Sequence, residues 1–114
     1  MGRIARIVQW LPFRRGTWRV VDQVASGADV PERLPPGGAV LVRALDVDRF
    51  LALDCPCPER HRLLVDLDPG HWPTWTIRTR DPLTLWPSID ARRDEGRCHF
   101  TIRKGRVRWA LDDD

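Results

Sequence analysis

Beyond residue 38 the chain is a series of short alternating segments. Ala39 to Ala44, Phe50 to Leu53 and Leu63 to Leu67 each read as a strand. In "WTIRTRDPLTLW", Trp75 and Ile77 alternate with polar residues, Arg80-Asp81-Pro82 supplies a turn, and Leu83 and Leu85 alternate back. "HFTIRKGRVRW" repeats the design. Phe100 and Ile102 face one way, Lys104-Gly105 turns, and Val107 and Trp109 return. Both stretches predict β-hairpins. Upstream, Thr17 to Val21 reads as a further strand, and "PERLPPGG" (Pro31 to Gly38) as a turn-rich connection. Ile4, Ile7 and Val8 have helical spacing, but over too few residues for a helix to rest on. The sequence closes on Leu111 and three aspartates, an acidic tail expected in solvent.

This pattern predicts a small, mainly β domain of short antiparallel strands and hairpins, with an α+β arrangement as the alternative. The 114 residues suit one domain, residues 1–114, with 1–25 as an N-terminal extension. Ten prolines and eight glycines favour many turns over long helices. No apolar run approaches the roughly 18 residues a membrane helix needs. The basic N-terminus is interrupted by Arg6, Gln9 and Pro12, unlike a signal peptide. The chain therefore reads as cytoplasmic and without a membrane partner. The formal charge is +3, with nineteen basic residues against sixteen acidic. The signs are mixed along the chain, so a modestly basic surface outranks a dedicated nucleic-acid footprint.

Three cysteines do not make a disulfide framework, and an odd count points to reduced thiols. They fall in two clusters with histidines. Cys55 and Cys57 lie in "CPCPERH", stiffened by Pro56 and Pro58 and followed by His61; Cys98 and His99 are adjacent downstream. Zinc takes four nitrogen or sulfur ligands as a tetrahedron, often two from each of two turns. The natural set is Cys55, Cys57, Cys98 and His99, with His61 as a further ligand from the first loop. Neighbours on a regular strand point to opposite faces, so Cys98 and His99 share an ion only if Gly96 makes the backbone irregular. The same residues allow nucleophilic chemistry. Cys98 with His61 or His99, or Ser88 in "WPSID" with His99, could pair a nucleophile with a base. A thiol beside a histidine is the better nucleophile on chemistry alone. The plain alternatives are buried small cysteines, surface histidines and a turn serine.

The order of these pieces resembles the bacterial domain-of-unknown-function family 6527. The matching stretches are Pro36-Gly37-Gly38-Ala39-Val40-Leu41, Cys55-Pro56-Cys57-Pro58, Trp75-Thr76-Ile77, Leu85-Trp86-Pro87-Ser88-Ile89, Cys98-His99-Phe100-Thr101-Ile102 and Val107-Arg108-Trp109. The chain departs from the family pattern at Glu59 and Gly96, where the family has cysteines, and at Cys98, where it has serine. Residues 1 to about 25 lie outside the resemblance. Members are often encoded beside ubiquitin-like proteins and their conjugation enzymes, in systems linked to phage defence. The resemblance thus implies a peptidase that processes or removes a ubiquitin-like protein, with that protein or its conjugation enzymes as partners. A non-catalytic zinc-binding module of the same system is the first alternative. Nucleic-acid binding is the second, through Arg78, Arg80, Arg103, Lys104, Arg106 and Arg108 with Trp75 and Trp109; a solvated sheet face over core tryptophans is the simpler reading of that set.

Overall fold

Alternation becomes one-sided burial along Leu83–Arg93 and Gly96–Arg103, whereas residues 39–42 and 51–53 are buried on both sides. The computed structural model describes residues 17–93 and 96–110. Two four-stranded sheets contain eight strands. The first sheet runs in the order β1 (Arg19–Val24), β2 (Gly38–Ala44), β3 (Val47–Asp54), β4 (Arg62–Asp66). β1 lies parallel to β2, and the other pairs are antiparallel. The second sheet is an antiparallel meander of β5 (Thr76–Arg80), β6 (Leu83–Arg93), β7 (Gly96–Arg103) and β8 (Arg106–Trp109). The mainly β expectation holds, as do both hairpins. The α+β alternative does not: the described residues contain one helical piece, a 3-10 turn at Gly27–Asp29. No described helix is long and apolar enough to cross a membrane. Ile4, Ile7 and Val8 and the acidic tail lie outside the described residues.

The two sheets share one apolar cluster. Ala39, Leu41, Leu51, Leu53 and Val65 come from the first, Leu83, Leu85, Ile89, Phe100 and Ile102 from the second, and Trp18 joins them. Each fully buried Leu, Ile or Phe side chain contributes about 1.5–3 kcal/mol of transfer free energy. This shared core therefore fixes which face of each strand is inward. On β7 the inward residues are Phe100 and Ile102, with Cys98 packed against the cluster, so His99, Thr101 and Arg103 take the outer face.

Turn chemistry sets the registers. Leu45 and Asp46 (φ 55° and 62°) join β2 to β3, and Lys104 and Gly105 (φ 54° and 79°) join β7 to β8. Positive φ at both central residues is the two-residue hairpin geometry that matches strand twist. Gly105 is also needed for space. A Cβ there would lie 2.6 Å from Thr17 Cγ2 and 3.0 Å from Pro82 Cβ. Its carbonyl accepts from Trp18 N at 2.8 Å and its N–H donates to Leu83 O at 2.8 Å, while Leu83 N donates to Trp18 O at 2.9 Å. The hairpin tip thereby ties the segment before β1 to the second sheet.

β6 departs from regularity at one place. Leu85 pairs with Ile102 and Ile89 with Phe100, so Trp86, Pro87 and Ser88 oppose Thr101 alone. Proline has no N–H to give the ladder and is tolerated inside a sheet chiefly at bulges. The bulge turns residues 86–88 outward. Replacing Gly105 with alanine is expected to cost about 1–3 kcal/mol, because it combines strained φ with direct overlap. Denaturant unfolding checks this, and a midpoint unchanged from the parent would contradict it.

Candidate active site

The first site is built where the loop after β3 meets β7. Cys55 N donates to His61 O at 2.8 Å and Arg60 N to Cys57 O at 3.0 Å, folding residues 55–61 into a closed turn. Arg60 takes φ 52° within it. Arg93 on β6 reaches Glu59 at 2.6 Å and fastens this turn to the second sheet. The sulfurs of Cys55, Cys57 and Cys98 and a ring nitrogen of His61 then all lie within 4.8 Å of one another. Cys98 Sγ is 3.9 Å from His61 Nε2. Zinc–sulfur bonds of about 2.3 Å place tetrahedral ligand atoms about 3.8 Å apart, so three sulfurs and one nitrogen at this spacing fit a zinc ion.

The thiols respond differently to being grouped. Burial pushes the Cys55 thiol up to about 12 and raises Cys98 as well. Burial also pushes Cys57 up, but hydrogen bonding from Cys55 and from the backbone N–H groups of Arg60 and Glu59 outweighs it, and Cys57 falls below its ordinary value. Backbone N–H groups directed at sulfur are the arrangement that stabilises a metal-bound thiolate. Four protein ligands would leave a bound ion no open position, so a metal held here would clamp the loop onto β7.

The second site lies on the opposite face of the same strand. Ser88 Oγ is 3.0 Å from His99 Nε2. The bulge in β6 presents Ser88, whose carbonyl accepts from Trp75 Nε1 at 3.0 Å. His99 follows Cys98 directly and pairs in register with Asp90. The Asp90 carboxylate receives Arg97 Nε at 2.8 Å and Nη2 at 2.9 Å, and lies 3.5 Å from Arg92. Arg97 holds the Asp90 carboxyl below the usual carboxylate range; Arg92 and the charge on His99 add to that. Ser88 and His99 are half-buried, within reach of an extended chain laid on the sheet.

The expected residues thus separate into two groups. Cys55, Cys57 and Cys98 come together, and His61 completes their set. His99, expected as the fourth ligand, is turned away. β7 is regular where the Cys98–His99 pair needed irregularity: Gly96 opens the strand opposite Arg93, and ordinary pairing continues through Cys98 and His99. Strand alternation then sends the two side chains to opposite faces. Ser88 meets His99, whereas Cys98 meets His61. Asp90 and Arg97 carried no sequence signal beyond two opposite charges in the stretch between the two predicted hairpins.

These features define a small two-sheet β protein with a serine–histidine pair on one face of a strand and a Cys3His cluster on the other. The chain belongs to the family described as bacterial ubiquitination-like system serine protease (BubE), whose model matches residues 26–110. No curated protein and no solved structure matches the chain.

The cluster makes a direct prediction. Purified protein is expected to carry about one zinc per chain, lost in His61→Ala and Cys57→Ala together with a fall in melting temperature. His99→Ala keeps the metal. Elemental analysis decides it, and zinc retained by His61→Ala but lost from His99→Ala would reverse the assignment.

Proposed function

We propose that this protein is a serine peptidase that cuts at the tail of a ubiquitin-like protein, as processing enzyme, deconjugating enzyme or both, in the bacterial cytoplasm. The observation that carries the reading is the 3.0 Å approach of Ser88 Oγ to His99 Nε2, in a family described as serine proteases. Ser88 is the nucleophile and His99 the base. The ubiquitin-like protein and its conjugation enzymes are the partners, as the family description supports.

The steps follow from the pair. With Nε2 unprotonated, the Ser88 hydroxyl donates to it. As Oγ forms its bond to the scissile carbonyl carbon, its proton passes to Nε2. Collapse of the tetrahedral intermediate breaks the C–N bond, and the leaving amine takes that proton. Water then enters, gives a proton to Nε2 and attacks the ester carbon. The ester C–O bond breaks, Oγ regains its proton, and the substrate leaves with a new carboxyl terminus. The Asp90 carboxylate stands on the neighbouring strand, in register with His99. Arg97 keeps that carboxylate charged and in place.

Cys98, the stronger nucleophile on chemistry alone, is the weaker candidate here. Its sulfur packs against Cys55, Cys57 and His61, and burial raises its thiol away from the thiolate form. The cluster supports a bracing role: a metal bound there would fix the residue next to His99. The alternative reading, a non-catalytic zinc-binding module, keeps that cluster and gives the Ser88–His99 contact no chemistry.

The test is cleavage of the ubiquitin-like precursor and conjugates encoded beside the protein. Ser88→Ala and His99→Ala are each expected to lower the rate by about a thousand-fold or more without lowering the melting temperature. Alkylating the metal-loaded protein with iodoacetamide leaves cleavage intact. Cleavage that survives Ser88→Ala and is lost on Cys98 alkylation would move the nucleophile to Cys98. No cleavage by the parent protein would favour the binding module.

A further inference from the structure

The outer face of the second sheet holds more than the serine and histidine. Trp86 stands two residues before Ser88, in the same bulge, and remains 41% exposed although it is a large aromatic side chain. Guanidiniums from both neighbouring strands cover it. Arg78 of β5 lies 5.1 Å from the ring centroid and Arg103 of β7 lies 4.3 Å from it. Register places Arg108 of β8 opposite Thr101, on the same face. Neither Arg78 nor Arg103 forms an ion pair with a described residue. Asp90, the acidic residue of β6 on this face, is already held by Arg97 and Arg92.

We infer that Arg78, Trp86 and Arg103 form a subsite for an acidic side chain of the polypeptide substrate, close to the bond that is cut. A guanidinium engages an aromatic ring through its face, which leaves its in-plane N–H edge for a carboxylate. Two such groups on one tryptophan make a pre-organised cationic patch, so little side-chain freedom remains to be lost on binding. The position follows from the peptidase reading, on which this part rests. An extended substrate advances roughly 3.3 Å per residue, so a chain whose carbonyl meets Ser88 places a side chain over Trp86 about two or three residues away. Glutamate or aspartate at that distance meets both arginines. A nucleic acid would find charge and a ring here as well. The favoured occupant is the peptide because the patch is continuous with the Ser88–His99 pair, where a backbone carbonyl has to sit.

Binding can be tested without turnover. The full chain carrying Ser88→Ala is titrated, by fluorescence anisotropy, into a labelled alternating Gly-Glu decapeptide, its Gly-Gln twin and a labelled oligo-dT of equal length. The Glu peptide is expected to bind about ten-fold or more tightly than the Gln twin, with the difference shrinking as salt is added. Adding Arg78→Gln and Arg103→Gln together erases the difference, while Arg78→Lys with Arg103→Lys keeps part of it; far-ultraviolet dichroism confirms the fold of each variant. Equal binding of the two peptides, or a Glu preference that survives the double glutamine change, overturns the inference. So does oligo-dT bound more tightly than the Glu peptide with the same arginine dependence, which would assign the patch to nucleic acid. The cleavage assay is read separately. A parent protein that prefers the Glu peptide but cuts no precursor loses the peptidase reading and keeps the subsite, and one that cuts without the preference does the reverse.

Discussion

One pleated strand divides this protein's chemistry. Cys98 and His99 are neighbours on β7, and neighbours on a regular strand cannot share a face. The core decides which goes where. Phe100 and Ile102 are fully buried between the sheets, so Cys98 turns inward beside them and His99 turns out. A one-residue slip of β7 would exchange the two and expose the apolar set, a cost of several kcal/mol from Phe100 and Ile102 alone. The cluster on one side and the serine–histidine pair on the other are therefore held by the same hydrophobic contacts.

The neighbouring strand supplies what regular pairing would withhold. Pro87 cannot donate to the ladder, and the three residues 86–88 bulge opposite Thr101. That bulge brings Ser88 to His99 and lifts Trp86 between two arginines. Bulges recur beside active sites because they re-aim side chains without dissolving the sheet. Trp75 steadies this one by donating to the carbonyl of Ser88 itself.

Much of the fold was legible because it rests on local signals. Both hairpins of the second sheet followed from alternation, and the Lys104-Gly105 turn from residue type. Strand limits were less so: the segment expected at Thr17 to Val21 forms β1 from Arg19 to Val24, and β3 begins at Val47 rather than Phe50. The turn at Leu45-Asp46 is tight enough that β3 starts at once; aspartate tolerates positive φ, but leucine does not advertise it. Spacing gathered three sulfurs that do lie together, but grouped them with His99, whereas the structure brings His61 to them. Cys98 and His99 looked like a ligand pair because they are adjacent, and adjacency on a strand separates side chains. His61 joins the set because the closed turn from Cys55, with Arg60 left-handed within it, brings it back, and because β7 then sets Cys98 beside it, a contact between residues far apart in the chain. The arginines around Trp86 were visible as charge; only the pairing of β5, β6 and β7 gathers them on one ring.

The central claim is that a cluster on one face of β7 holds a working serine–histidine pair on the other. It is tested most directly by the rate at which a fluorophosphonate probe modifies the protein, followed by intact mass and peptide mapping. The measurement is made on metal-loaded protein, after chelation, and after zinc is restored. The account predicts one adduct, on Ser88, that forms slowly after chelation and regains its rate with zinc. Modification that proceeds equally without metal, or that never reaches Ser88, would contradict it.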